Sequence, residues 1–149
     1  MAVRDKPYSQ FNFLVDVGID PTGPIGGFQE VSGLGMEITV AEYRAGNKKD
    51  GAPDKIHGTY KVPDVTLKRG VMGDDSLYSW LDAVRNGDQD EIRTVTISLL
   101  SEDRETTAQS WTLTGARPIK YTGAQLAGNG TDVAVEEFVL ACERIDMEF

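Results

Sequence analysis

Apolar and polar residues alternate along residues 11 to 17, with Phe11, Phe13, Val15 and Val17 on one parity and Asn12, Leu14 and Asp16 on the other. Successive side chains of a strand point to opposite faces, so the pattern predicts a strand with one buried face. The prolines and glycines of residues 20 to 27, DPTGPIGG, predict a turn. Phe28 to Val31 and the alternating Met36, Ile38 and Val40 predict the arms of a hairpin bent at Ser32-Gly33-Leu34-Gly35. Residues 44 to 58, RAGNKKDGAPDKIHG, hold almost no large apolar side chain and predict a long exposed loop.

Strand character resumes over residues 60 to 69 with Val62, Val65 and Leu67, where Pro63 predicts an edge, a bulge or a strand start. Leu77, Trp80, Leu81 and Val84 share one helical stripe and predict a helix over 75 to 86, started by Asp74 or Asp75 and ended by Gly87. Val95, Ile97 and Leu99 alternate with Thr94, Thr96 and Ser98, and after the polar turn SEDRETT, Trp111 and Leu113 alternate with Ser110, Thr112 and Thr114. This second hairpin has one apolar face and one hydroxyl face. Residues 132 to 142 are apolar on both parities and predict a strand buried on both sides. The elements amount to a mainly β fold, an antiparallel sandwich or barrel with one packed α-helix, in a single domain over residues 1 to 149.

Composition narrows the function. A 149-residue chain with 40% hydrophobic content buries a core without metal or disulfide staples, and its single cysteine, Cys142, forms no internal disulfide. Net charge of −9 argues against a nucleic-acid-binding face. The first ten residues, MAVRDKPYSQ, lack a signal-peptide apolar run, and no stretch has the length of a membrane span. The expectation is a soluble chain that is neither classically exported nor inserted into a membrane and is compatible with assembly in a reducing cytoplasm.

Catalytic chemistry finds no constellation. His57 is the only histidine, so no zinc set can be completed, and it has no nucleophile motif beside it. Cys142 lies in an apolar strand, where a thiol is inert packing. GPIGG and GAQLAGNG lack both the phosphate-loop lysine and the βαβ setting. No catalytic, metal-binding or cofactor-binding residue is assigned, and no cofactor or enzyme activity is expected.

Tyr43-Arg44-Ala45-Gly46, then Val65 to Gly70 (VTLKRG) and the Leu77/Trp80 helix occur in an order that resembles the tail tube proteins of contractile-tailed phages. WTLTGARPIKY at Trp111 to Tyr121 and TDVAVEEFVLACER with Glu136 and Glu143 resemble the family's C-terminal half. FNFLVDVG and FQEVSGLGMEITVAEYRAGN look especially similar to the inner tube subunits of extracellular contractile injection systems. The resemblance implies a homo-hexamer whose hairpins polymerise into a ring β-barrel, and rings stacked into a hollow tube. It also implies a contractile sheath, baseplate and tube-capping proteins as partners, with effector cargo or DNA in the lumen.

On that reading the lumen takes short polar side chains: Thr94, Thr96, Ser98, Ser110, Thr112 and Thr114, joined by Glu30, Ser32, Glu37 and Thr39. The alternative is that the same residues face bulk water. Tyr43, Arg44, Lys48, Lys49 and Lys55 are expected at contacts between subunits or rings, and Arg69 and Glu136 likewise. A true phage tail tube conducting DNA is the nearest alternative, and a small-ligand-binding β-barrel is one of a different class.

Overall fold

The computed structural model describes residues 4–18, 27–73 and 75–149. Its strands are β1 (Phe13–Asp16), β2 (Phe28–Ser32), β3 (Glu37–Tyr43), β4 (Asp54–Lys61), β5 (Val65–Gly70), β6 (Arg93–Leu100), β7 (Thr107–Thr122), β8 (Val135–Ala141) and β9 (Arg144–Glu148), with one helix, α1 (Ser76–Arg85), between β5 and β6. The predicted turn at 20 to 27 falls outside the described residues apart from Gly27, and so does Asp74.

All pairings are antiparallel. The main sheet runs β1-β6-β7-β8-β5-β2, and β9 adds to β7. The 16-residue β7 serves two layers: Ser110 to Thr114 lie between β6 and β9, whereas Arg117 to Thr122 pair with β8. The chain turns between them at Gly115, which has φ +70 and where a Cβ would stand 2.8 Å from the Glu143 carboxyl group. Positive φ without a side chain is what only glycine supplies cheaply.

The result is two four-stranded layers, β1-β6-β7-β9 and β7-β8-β5-β2, over a shared core. Val15, Val95, Ile97, Leu113 and Ile145 come from the first, and Val65, Leu67, Phe138 and Leu140 from the second. Leu77 and Trp80 of α1 join the same core, and the Trp80 indole N–H donates to Glu91 O at 2.8 Å. The helical stripe read from the sequence is therefore a core face. The start of α1 gains no side-chain cap from Asp75, while Gly87 past its end has φ +95.

Several expectations change. The arms around Ser32 to Gly35 do not pair: β2 pairs with β5 and β3 with β4. Val31 is placed opposite Leu67, both against the core, a burial that a local β2–β3 hairpin would not supply. Gly33, at φ +89, packs its Cα face against Asp64 O, where no Cβ fits. The predicted loop at 44 to 58 shortens to 44–53, because Asp54 onward forms β4. That strand has no burial pattern to announce it, since all its side chains are exposed. Pro63 sits between β4 and β5 rather than inside a strand.

At the C-terminal end, β8 buries Glu136, Phe138 and Leu140 on one parity while the other is half-buried, and Val133 is exposed. Cys142 is half-buried rather than fully enclosed, and burial raises its thiol pKa. The strand β9 was not anticipated.

Candidate assembly interface

The hairpin β3–β4 is exposed at every residue of both strands. Its register places Ile38 opposite Tyr60, Val40 opposite His57 and Glu42 opposite Lys55, with an irregularity between Ile38 and Val40. Gly58 allows it, since a Cβ there would lie 3.1 Å from Thr39 O. An isolated two-stranded hairpin is marginal in water. This one nevertheless presents Ile38, Val40, Tyr43, Ile56 and Tyr60 to solvent.

Its tip is shaped by its own cations. Arg44 donates to Asp50 O at 3.2 Å and to Lys48 O at 2.8 Å, while Lys48 donates to Ala52 O at 2.7 Å and Asp54 Oδ1 at 2.9 Å. Two of the seven residues expected at subunit contacts thus fold the tip. Tyr43, Lys49 and Lys55 remain exposed on its surface.

The ten hydroxyl and acidic residues expected in a lumen fall on three surfaces. Thr96 stands opposite Thr112 and Ser98 opposite Ser110, and the same rows continue into β1 at Asp16 and Leu14 and into β9 at Asp146 and Glu148. Thr114 lies opposite Arg144, and Thr94 is exposed beside them. This is the outer face of the β1-β6-β7-β9 layer. Glu30 and Ser32 lie on the outer face of the other layer, where Glu30 and Glu137 flank Lys68 and Ser32 faces Thr66. Lys68 Nζ approaches Glu30 Oε2 at 3.7 Å. Glu37 and Thr39 belong to the projecting β3.

Arg69 and Glu136 were expected at subunit contacts, but the structure turns them inward. They face each other across β5 and β8, with Arg69 Nε donating to Glu136 Oε1 at 2.7 Å, and both are buried within one chain. The other carboxylate oxygen accepts from the Tyr121 hydroxyl at 2.9 Å. Glu136 raises the Tyr121 pKa, first through that hydrogen bond and then with burial. Sequence parity could have placed Glu136 on the buried side of β8, beside Phe138 and Leu140, and Arg69 on that of β5, beside Val65 and Leu67, though not opposite one another.

The turn joining β6 to β7 holds a further device that sequence reading missed. Asp103 accepts from Ser101 Oγ at 2.6 Å, Thr106 Oγ1 at 2.7 Å, and the backbone N–H groups of Glu105 and Thr106 at 2.9 Å each. These donors, led by Ser101, hold its carboxyl well below the ordinary carboxylate range.

Among the described residues, two edges stay open in each layer: β1 and β9 in one, β2 and the second half of β7 in the other. Between β1 and β2 lies an open cleft lined by Phe11, Phe13, Phe28, Val31, Leu34 and Trp111 among others. Between the layers, core side chains of both sheets and of α1 pack into one cluster. No group of metal-ligating side chains occurs among the described residues, and none of the helices described is long and apolar enough to cross a membrane.

Solved structures sharing this fold include chains of extracellular contractile injection systems and of the anti-feeding prophage. A chain in the cryo-EM structure of an extracellular contractile injection system, the PVC sheath/tube terminator in the extended state, is 30% identical with a TM-score of 0.85, covering 99% of this chain and 100% of that one. A chain of the PVC sheath-tube complex in the extended state is 29% identical with a TM-score of 0.84, over 97% and 93%. One from the anti-feeding prophage cap, the AFP tube terminating cap, is 28% identical with a TM-score of 0.85, over 99% and 94%. No curated protein matches the chain in sequence. The class is that of tail tubes in contractile injection and phage-like particles. Within it, the chain belongs to the T4-like virus tail tube protein gp19 family, whose model matches residues 9–146.

Proposed function

We propose that the chain is the inner-tube subunit of an extracellular contractile injection particle, in which hexameric rings stack into a hollow tube that sheath contraction drives into a target envelope. The observation that carries this reading is the unfinished β-structure: open strand edges in both layers and a hairpin exposed along its whole length. Unpaired edges in a soluble chain invite aggregation unless another chain completes them, and a closed ring completes them without further lateral growth. Likeness to chains of the PVC sheath-tube complex and terminator favours the extracellular particle, with sheath, baseplate and cap as partners.

The two layers have opposite outer faces, so one faces the lumen and the other faces outward in any closed wall. We assign the lumen to the β2-β5-β8-β7 layer, with Glu30 and Ser32. Its edge β2 is continuous with the projecting hairpin arm, whereas the edge strand β9 carries Arg144, Asp146 and Glu148, charges of the kind that blunt an edge. The hydroxyl face with Thr96, Ser98, Ser110 and Thr112 then lies outward, toward the sheath. Cargo or DNA in the lumen meets a mixture of Glu and Lys that offers no single-sign grip.

Electron microscopy of the purified chain tests the reading: rings or stacked cylinders are expected, and a persistent monomer would sink it. Cysteines placed singly at Ser32 and Ser110 in a Cys142→Ser background, labelled with a bulky maleimide on assembled tubes, assign the faces. Labelling at 110 with protection at 32 is expected, and the reverse would move the lumen to the other layer.

A further inference from the structure

We infer that Asn129 is a site of spontaneous covalent modification: the Gly130 nitrogen closes on its side-chain amide, and water converts the resulting imide to aspartate or isoaspartate. The inference goes beyond the tube reading, since it concerns the chemistry of the single chain.

The chain has four asparagines, followed by Phe13, Lys48, Gly87 and Gly130. Imide formation needs the next residue's backbone nitrogen to reach the asparagine Cγ. A following side chain obstructs that approach, and glycine both removes the obstruction and frees the backbone to rotate. Asn86 and Asn129 are therefore the two candidates, with the same residue at the reacting bond, and the fold decides between them.

Asn86 is locked into the end of α1. Its N–H donates to Asp82 O at 3.0 Å, Gly87 N–H to Val84 O at 3.1 Å and Asp88 N–H to Ala83 O at 3.1 Å. With Gly87 at φ +95, the last two bonds form a glycine-terminated helix cap. Bringing the Gly87 nitrogen onto the Asn86 side chain requires that cap to open.

Asn129 lacks such a frame. Its turn is closed by one backbone hydrogen bond, Gly130 N–H to Ala127 O at 3.0 Å, and every residue from Gln125 to Val133 is exposed. A Cβ at Gly128 would meet nothing within 4 Å, so the turn has open space on that side. Opening the single bond releases the attacking nitrogen, and exposure admits the water.

The step balances with water as the one co-reactant. The Gly130 nitrogen bonds to Asn129 Cγ and gives up its proton, which leaves with the side-chain amide as ammonia. Water then opens the cyclic imide. Breaking the new Cγ–N bond gives aspartate, and breaking the original C–N bond gives isoaspartate, with one methylene added to the main chain. Either product replaces a neutral amide with a carboxylate, making the net charge one unit more negative than −9.

Peptide mass spectrometry of the free subunit, isolated by size exclusion and incubated at mildly alkaline pH, tests the inference. Modification is expected to accumulate at Asn129 at least about tenfold faster than at Asn86, because the helix cap adds backbone bonds that must open first. In the urea-unfolded chain the two sites are expected to react at similar rates. The acidic species that isoelectric focusing resolves in the aged native chain should be absent from Asn129→Gln. Equal rates at the two sites in the native chain, or ageing without modification at Asn129, would overturn the inference. A preference of the same size in urea would assign it to local sequence and overturn the structural argument.

Discussion

Arg69 Nε lies 2.7 Å from Glu136 Oε1 across β5 and β8, and both side chains are buried inside one subunit. A buried pair gains little net stability, but removing one partner strands the other charge at a cost of about 3–5 kcal/mol. Glu136→Ala is therefore expected to lower stability by about that amount in urea unfolding. Arg69→Met combined with Glu136→Leu should recover most of the loss. A double variant no more stable than Glu136→Ala would show that the pair is not the source of the cost.

Tyr121 titrates late because its hydroxyl donates to Glu136, with burial acting in the same direction. The fold favours the neutral phenol, so this contribution is complete below the ordinary tyrosine pKa of about 10 and is lost as pH rises through the raised value. Of the five tyrosines, the last to ionise in an ultraviolet titration should disappear in Tyr121→Phe. Retention of the late step in that variant would assign it elsewhere.

Asp103 organises the β6–β7 turn through donors that need its carboxylate charged. Its pKa is depressed in the fold, so its stabilisation is present above the unfolded carboxylate value of about 4 and fades as pH falls below it. Asp103→Asn should melt at a lower temperature than the parent at pH 7, and the gap should narrow toward pH 3. A gap that stays constant with pH would remove the charge from the explanation.

Gly115 bends β7 from one layer to the other at φ +70, with the Glu143 carboxyl group where a Cβ would go. Gly115→Ala should cost about 2 kcal/mol from the left-handed backbone alone, plus a steric part. Adding Glu143→Ala should relieve only the steric part. Full recovery in the double variant would show that the backbone conformation carries no strain, and thermal denaturation measures each step.

The strands with a clean alternation were legible because their faces differ in solvent: β1, and the β6–β7 hairpin with Val95 and Ile97 against Thr96 and Ser98. The Leu77/Trp80 stripe was legible for the same reason. The hairpin arm β4 was not, because alternation records burial and β4 has none within the chain. Its pairing rests on backbone hydrogen bonds that any polar sequence can make, and its apolar Ile56 and Tyr60 stay exposed in the single chain. Five-residue β9 mixes Arg144, Asp146 and Glu148 with Ile145, too short a run to declare a face.

By itself, then, the sequence determined the β character, the helix and the faces of β1, β6 and the first half of β7, since each follows from neighbours a few positions apart. Tertiary structure alone decided that Val31 meets Leu67, that Arg69 meets Glu136, and that Glu30 and Thr96 occupy opposite walls. Those are contacts between residues distant along the chain, and the choice among rival pairings is made by which of them closes one shared core.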